Sequence, residues 1–143
     1  MNAKTEMKSW QVFYEDGEKF LKAVVNPGKK RVFIPDIIYN ITCMAIEKFF
    51  MAFFMYRGTM PDNHTMRDLI QSAERIAPVS AELKENMMFL DKFQDICVLS
   101  KYSRKTPGKD DMERILRTGI MAKAFVDGVI KPEGGGYEKN MVT

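Results

Sequence analysis

The chain has one histidine, one tryptophan and two cysteines among 143 residues, and each shortage removes a class of chemistry. Cys43 and Cys97 stand apart, with no CxxC and no Cys/His spacing, which argues against a disulfide framework or a zinc site. Two buried free thiols in a reducing cytoplasm are the expectation. No cofactor or metal is called for. No glycine-rich loop follows a strand. The run Gly134-Gly135-Gly136-Tyr137 falls in the tail, so a Walker or Rossmann nucleotide site is excluded. Nothing alternates with period two for long enough to make a strand; Val32-Phe33-Ile34 is the only candidate and is too short. There are no internal repeats. The net charge of +3 is too small to argue by itself for a nucleic-acid partner. The opening MNAKTEMKSW has no apolar core of signal-peptide length, so a cytoplasmic location is expected.

What is present is apolar helix. PDIIYNITCMAIEKFFMAFFMY, from Pro35 to Tyr56, has its clearly polar positions at Asp36, Asn40, Thr42, Glu47 and Lys48. Asp36, Asn40 and Glu47 share one narrow stripe at 100° per residue. An ordinary surface helix carries an apolar stripe a little wider than ~100°. This one is apolar around most of its circumference and should be buried by several neighbours. Glu47 and Lys48 interrupt it before the ~20 apolar residues of a membrane span. It reads as the central helix of a soluble all-α domain.

The remaining helices arrange themselves around it. From about Met7 to Val25, Trp10, Phe13, Gly17, Phe20, Leu21 and Val24 fall on one face, and Asn26-Pro27-Gly28 ends the helix. Lys29, Lys30 and Arg31 then form a basic loop. Pro35 suits the first turn of the central helix, and Gly58 with Pro61 beyond suits its end. Thr65-x-x-Asp68 reads as a capping box for a third helix that closes at Pro78. Ser80 caps a fourth, running to about Ser100 through Leu83, Met87, Leu90 and Cys97. Asp110 or Asp111 opens a fifth through Ile115, Gly119, Ala122, Val126 and Val129. The expected architecture is an antiparallel up-and-down four-helix bundle with a short crosspiece helix, over residues 1–131. A mobile tail is expected over 132–143.

Few residues could carry chemistry. His64 precedes the third helix, either as a general acid or base, as a ligand contact, or as a staple packed against Leu69. Arg57 could bind a phosphate or complement the negative end of its own helix. Arg104, beside Tyr102 and Lys105, could supply a second anion contact or belong to a solvated loop. Met44, Met51 and Met55, among twelve methionines, add apolar surface to a helix already rich in it. A homodimer seam is the economical use of that surplus; cover by the third and fifth helices is the alternative.

AIEKFFMAFFMYRGTMPDNHTMRDLI, from Ala45 to Ile70, resembles the signature of the HEPN domain (higher eukaryotes and prokaryotes nucleotide-binding). The matching residues are Ala45, Glu47, Lys48, Gly58, Pro61, His64 and Leu69. The resemblance implies a helical bundle, usually dimeric, in one of two roles. Many members act beside a separate minimal nucleotidyltransferase and bind nucleotide or its substrate. Others are metal-independent ribonucleases with an Arg-x4–6-His motif, whose spacing Arg57 and His64 fit. Gly58 directly after Arg57, and the position of the pair between the second and third helices, rank the binding role first. The expectation is therefore a non-catalytic module for a nucleotide or nucleic-acid phosphate, with Arg57, His64 and Arg104 at the site. A ribonuclease using Arg57 and His64 is the alternative, and a purely structural interaction protein the second alternative.

Overall fold

The computed structural model describes residues 9–25, 34–94 and 107–130. Five α-helices account for most of them: α1 (Ser9–Val25), α2 (Pro35–Arg57), α3 (Met66–Glu74), α4 (Ala81–Gln94) and α5 (Met112–Val129). No strand occurs among the described residues. The expected start of the first helix at Met7, the basic loop at 29–31, the end of the fourth helix near Ser100, Cys97, Arg104 and the tail at 132–143 lie outside the described residues.

The central helix is bounded as its punctuation requires. Ile34 is extended at its N-cap and Pro35 occupies the first turn, where a missing N–H leaves nothing unpaired. Gly58 takes the left-handed conformation (φ 76°) at the other end. Its N–H donates to the Met55 carbonyl and that of Thr59 to the Phe54 carbonyl, the paired bonds of a Schellman motif.

Helices α1 and α5 cover most of the circumference of α2, and α3 and α4 touch the remainder. Trp10 of α1 meets Tyr56 edge-on, and Tyr14 meets Phe49. Phe125 of α5 packs on Phe50 and Phe53. Tyr39 meets Phe93 of α4 edge-on, and its hydroxyl donates to the Leu90 carbonyl. Phe49, Phe50, Phe53 and Phe54 are fully buried, each contributing ~1.5–3 kcal/mol over an exposed position. By length and hydropathy alone α2 could cross a bilayer, but 67% of its most apolar stretch is buried inside the protein. Glu47 and Lys48 break the apolar run at its rim: Glu47 pairs with His64, and Lys48 lies 5.1 Å from the centre of the Phe13 ring.

The order of contacts fixes the topology. Tyr14 bonds Asp127 and Leu21 touches the Gly119 position, so α1 runs antiparallel to α5 as it does to α2. The second and fourth long helices, α2 and α5, consequently run the same way, as an up-and-down bundle demands. The result is the expected all-α bundle with a short crosspiece.

That crosspiece, α3, is held from both ends. Thr65 caps it, accepting from the Asp68 backbone N–H. The reciprocal arm of the expected capping box differs, because the Thr65 hydroxyl donates to the Asp68 carboxylate (2.8 Å). A capping role for Ser80 is present, since its hydroxyl accepts from the Leu83 N–H. At the far end of α3, Glu74 pairs with Lys84 of α4.

Of the three methionines expected at a dimer seam, only Met44 is exposed. Met51 is buried within its own chain and Met55 is half-buried. At Met51 the stripe expected to form the seam is therefore already closed within the chain. The exposed part of the same apolar stripe lies towards the N-terminal end of α2, at Ile34, Ile37 and Met44, with Ile41 half-buried between them.

Candidate functional site

One groove collects the residues of chemical interest. It encloses about 660 Å³ and is lined by Tyr39, Asn40, Cys43, Met44 and Glu47 of α2, by Asn63, His64, Thr65 and Asp68 around the start of α3, and by Phe93 of α4. The α2 residues fall at i, i+1, i+4, i+5 and i+8, so a single helix face forms the floor. Capping at Thr65 sets the direction in which the chain enters α3, and thereby places His64 over that floor.

His64 Nδ1 lies 2.6 Å from Oε2 of Glu47. A carboxylate only accepts, so Nδ1 is the donor and Nε2 is left to face other partners. The contact is half-exposed and adds little to stability. Its effect is geometric: a flexible glutamate and a loop histidine each lose rotational freedom to the other. A carboxylate-oriented imidazole is also the arrangement in which histidine serves as a general base.

The rest of the lining does not complete a catalytic set. Burial pushes the Cys43 thiol up to about 12, so it stays protonated and unreactive near neutrality. Glu47 and Asp68 are the charged side chains accompanying His64, and no lysine or arginine lines the groove among the described residues. No group of three or more metal-ligating side chains is found among the described residues. Such a groove repels a phosphate from its floor and favours hydrogen-bond donors.

The residues singled out from the sequence are thus separated. Arg57 is exposed, outside the groove, and follows Glu47 by ten positions, which is about 15 Å along the α2 axis and about 80° around it. Within one subunit it does not join His64. Arg104 lies outside the described residues. His64 does line a cleft, but its close partner is Glu47. Comparison of the chain with family models, curated proteins and solved structures gives no match.

Sequence reasoning missed Tyr39, Phe93 and Asp91 as supports of this region. Asp91 is buried, accepts from the Arg67 N–H (3.1 Å) and lies 3.5 Å from the Arg67 guanidinium, tying the first turn of α3 to α4. A signal for the groove floor was available, since Asn40 and Glu47 already stand on the polar stripe of α2. Nothing local to residue 91 signals that its carboxylate faces another helix.

Proposed function

We propose that the chain is a non-catalytic binding module for a nucleotide or an RNA segment, of the HEPN-like type that acts beside a separate nucleotidyltransferase. The groove under His64 is where the base and ribose sit. The observation that carries this reading is the Glu47–His64 contact, which joins two residues of the signature across a cleft of ligand size. Phosphates remain outside the groove, towards basic side chains elsewhere on the surface. A second copy covers the stripe of Ile34, Ile37, Ile41 and Met44.

Isothermal calorimetry with nucleoside triphosphates and with short RNA tests the proposal. Binding heat is expected from at least one of them; silence from all, at concentrations up to ~1 mM, overturns it.

The Glu47–His64 pair also favours a second reading, a ribonuclease with His64 as base. It ranks below the first because the described lining of the groove offers no cation for the charge that develops on a phosphorane. RNA cleavage by the purified chain that disappears in His64→Ala reverses the order. Cleavage that survives that substitution disposes of this reading.

A further inference from the structure

We infer that the groove selects a guanine base, and that Glu47 is the side chain that reads it; this rests on the nucleotide-binding reading above. The inventory of polar atoms leads there. One oxygen of Glu47, Oε2, receives Nδ1 of His64, while Oε1 has no partner among the described residues. Asp68 Oδ2 receives the Thr65 hydroxyl. Asn40 and Asn63 bring amides with no bond among the described residues, and positive side chains are missing from the described lining. A ligand in this groove must therefore present donors to the carboxylate.

Among the four RNA bases, guanine alone carries two adjacent donors, N1–H and the N2 amino group, on its pairing edge. Two parallel N–H bonds match the two oxygens of a carboxylate, as a guanidinium does. Each carboxylate oxygen accepts more than one bond, so Oε2 can serve His64 and the base together. Adenine and cytosine set a ring-nitrogen acceptor beside their amino group, and uracil flanks its N–H with two carbonyls. Each of these opposes an acceptor to an acceptor, which costs more than a missing contact.

His64 is a positioning residue in this scheme, since it fixes the rotamer of Glu47 without touching the base edge. Replacing Glu47 by Gln inverts the pattern. The Gln carbonyl turns to the His64 donor, and its NH2 then confronts the donors of guanine.

Calorimetry with the 5′-monophosphates of guanosine, inosine, adenosine, cytidine and uridine provides the test, using wild type and Glu47→Gln. For wild type, the guanosine nucleotide binds most tightly and the inosine nucleotide, which lacks the N2 amino group, about tenfold more weakly. That arm requires no variant to fold. Glu47→Gln loses at least about tenfold for guanosine and little for adenosine. His64→Gln, which keeps a donor, retains more of the guanosine-to-adenosine ratio than His64→Ala. Equal wild-type affinity for the guanosine and adenosine nucleotides, or an equal loss for every nucleotide in Glu47→Gln, removes the selectivity while nucleotide binding stands. If no nucleotide binds, the underlying reading falls and the selectivity with it.

Discussion

Gly17 of α1 faces the ring of Phe49 on α2 so closely that a Cβ there would stand 2.9 Å from Cδ1 and from Cε1. Alanine in place of this glycine gains about 1 kcal/mol of helix propensity. Against that stands overpacking of a fully buried ring, ~1–3 kcal/mol. Phe49 is fully buried and already in contact with Tyr14, which restricts where its ring can move. The overpacking term wins. Gly17→Ala is therefore expected to lower the urea midpoint with the m-value unchanged, and a raised midpoint refutes the close approach.

The groove depends on α3, and α3 depends on a carboxylate from another helix. Asp91 accepts from the Arg67 N–H, one of the donors at the start of α3 that has no partner inside the helix. Asp91→Ala is expected to cost about 1–2 kcal/mol, by loss of a cap in a buried setting. Asp91→Asn, which keeps an acceptor, costs less. Because α3 carries Asp68 and begins next to His64, Asp91→Ala should also weaken nucleotide binding, although residue 91 does not line the groove. Unchanged stability in a urea titration of Asp91→Ala rules out the capping role.

Alkaline pH should unfold the chain earlier than its exposed groups alone require. Burial raises the Cys43 thiol from 9.0 to about 12. Burial, with the hydrogen bond to Asp127, raises Tyr14 from 10.0 to about 12. In both cases the folded form holds its proton more tightly than the unfolded one. Their contribution to stability is complete below the unfolded value and is lost as pH climbs towards the folded value. Stability measured by denaturant titration is expected to fall between pH 9 and pH 12 through these two groups. Cys43→Ala flattens the decline, and Tyr14→Phe flattens its upper part. An identical slope in both variants refutes the assignment.

The reach of the sequence can be judged from these same residues. Helix positions were legible because they depend on local chemistry: Pro35 and Gly58 bracket α2, Thr65 and Ser80 cap α3 and α4, and Gly17 and Gly119 stand on apolar faces. Near-complete apolarity of α2 announced burial from several sides. It could not say which neighbour covers which face, and so Met51 looked like surplus although it is buried within its own chain. Arg57 and His64 are neighbours in sequence, but the turn after Gly58 sends the chain back along α2, so His64 reaches Glu47. Seven residues of spacing hold no information about that reversal.

Ile34 is 58% exposed, Ile37 41% and Met44 44%, and with half-buried Ile41 they stand at i, i+3, i+7 and i+10 along α2. That is the a/d spacing of a helix-pairing seam. Lys48 occupies the next seam position, seven residues after Ile41, and leans over Phe13. The apolar stripe therefore ends within the N-terminal half of α2. Two copies related by a two-fold axis near Ile41 would bring each Ile37 against the partner's Met44. Light scattering at micromolar concentration should then report a dimer. Ile37→Asp places a charge in the seam without entering the core, because residue 37 is already exposed, and should yield a folded monomer. Met51→Leu should leave the dimer intact, since Met51 is buried within its own chain. A wild-type monomer, or a dimer indifferent to Ile37→Asp, eliminates this seam, and the groove on the neighbouring face of α2 then has to function within one chain.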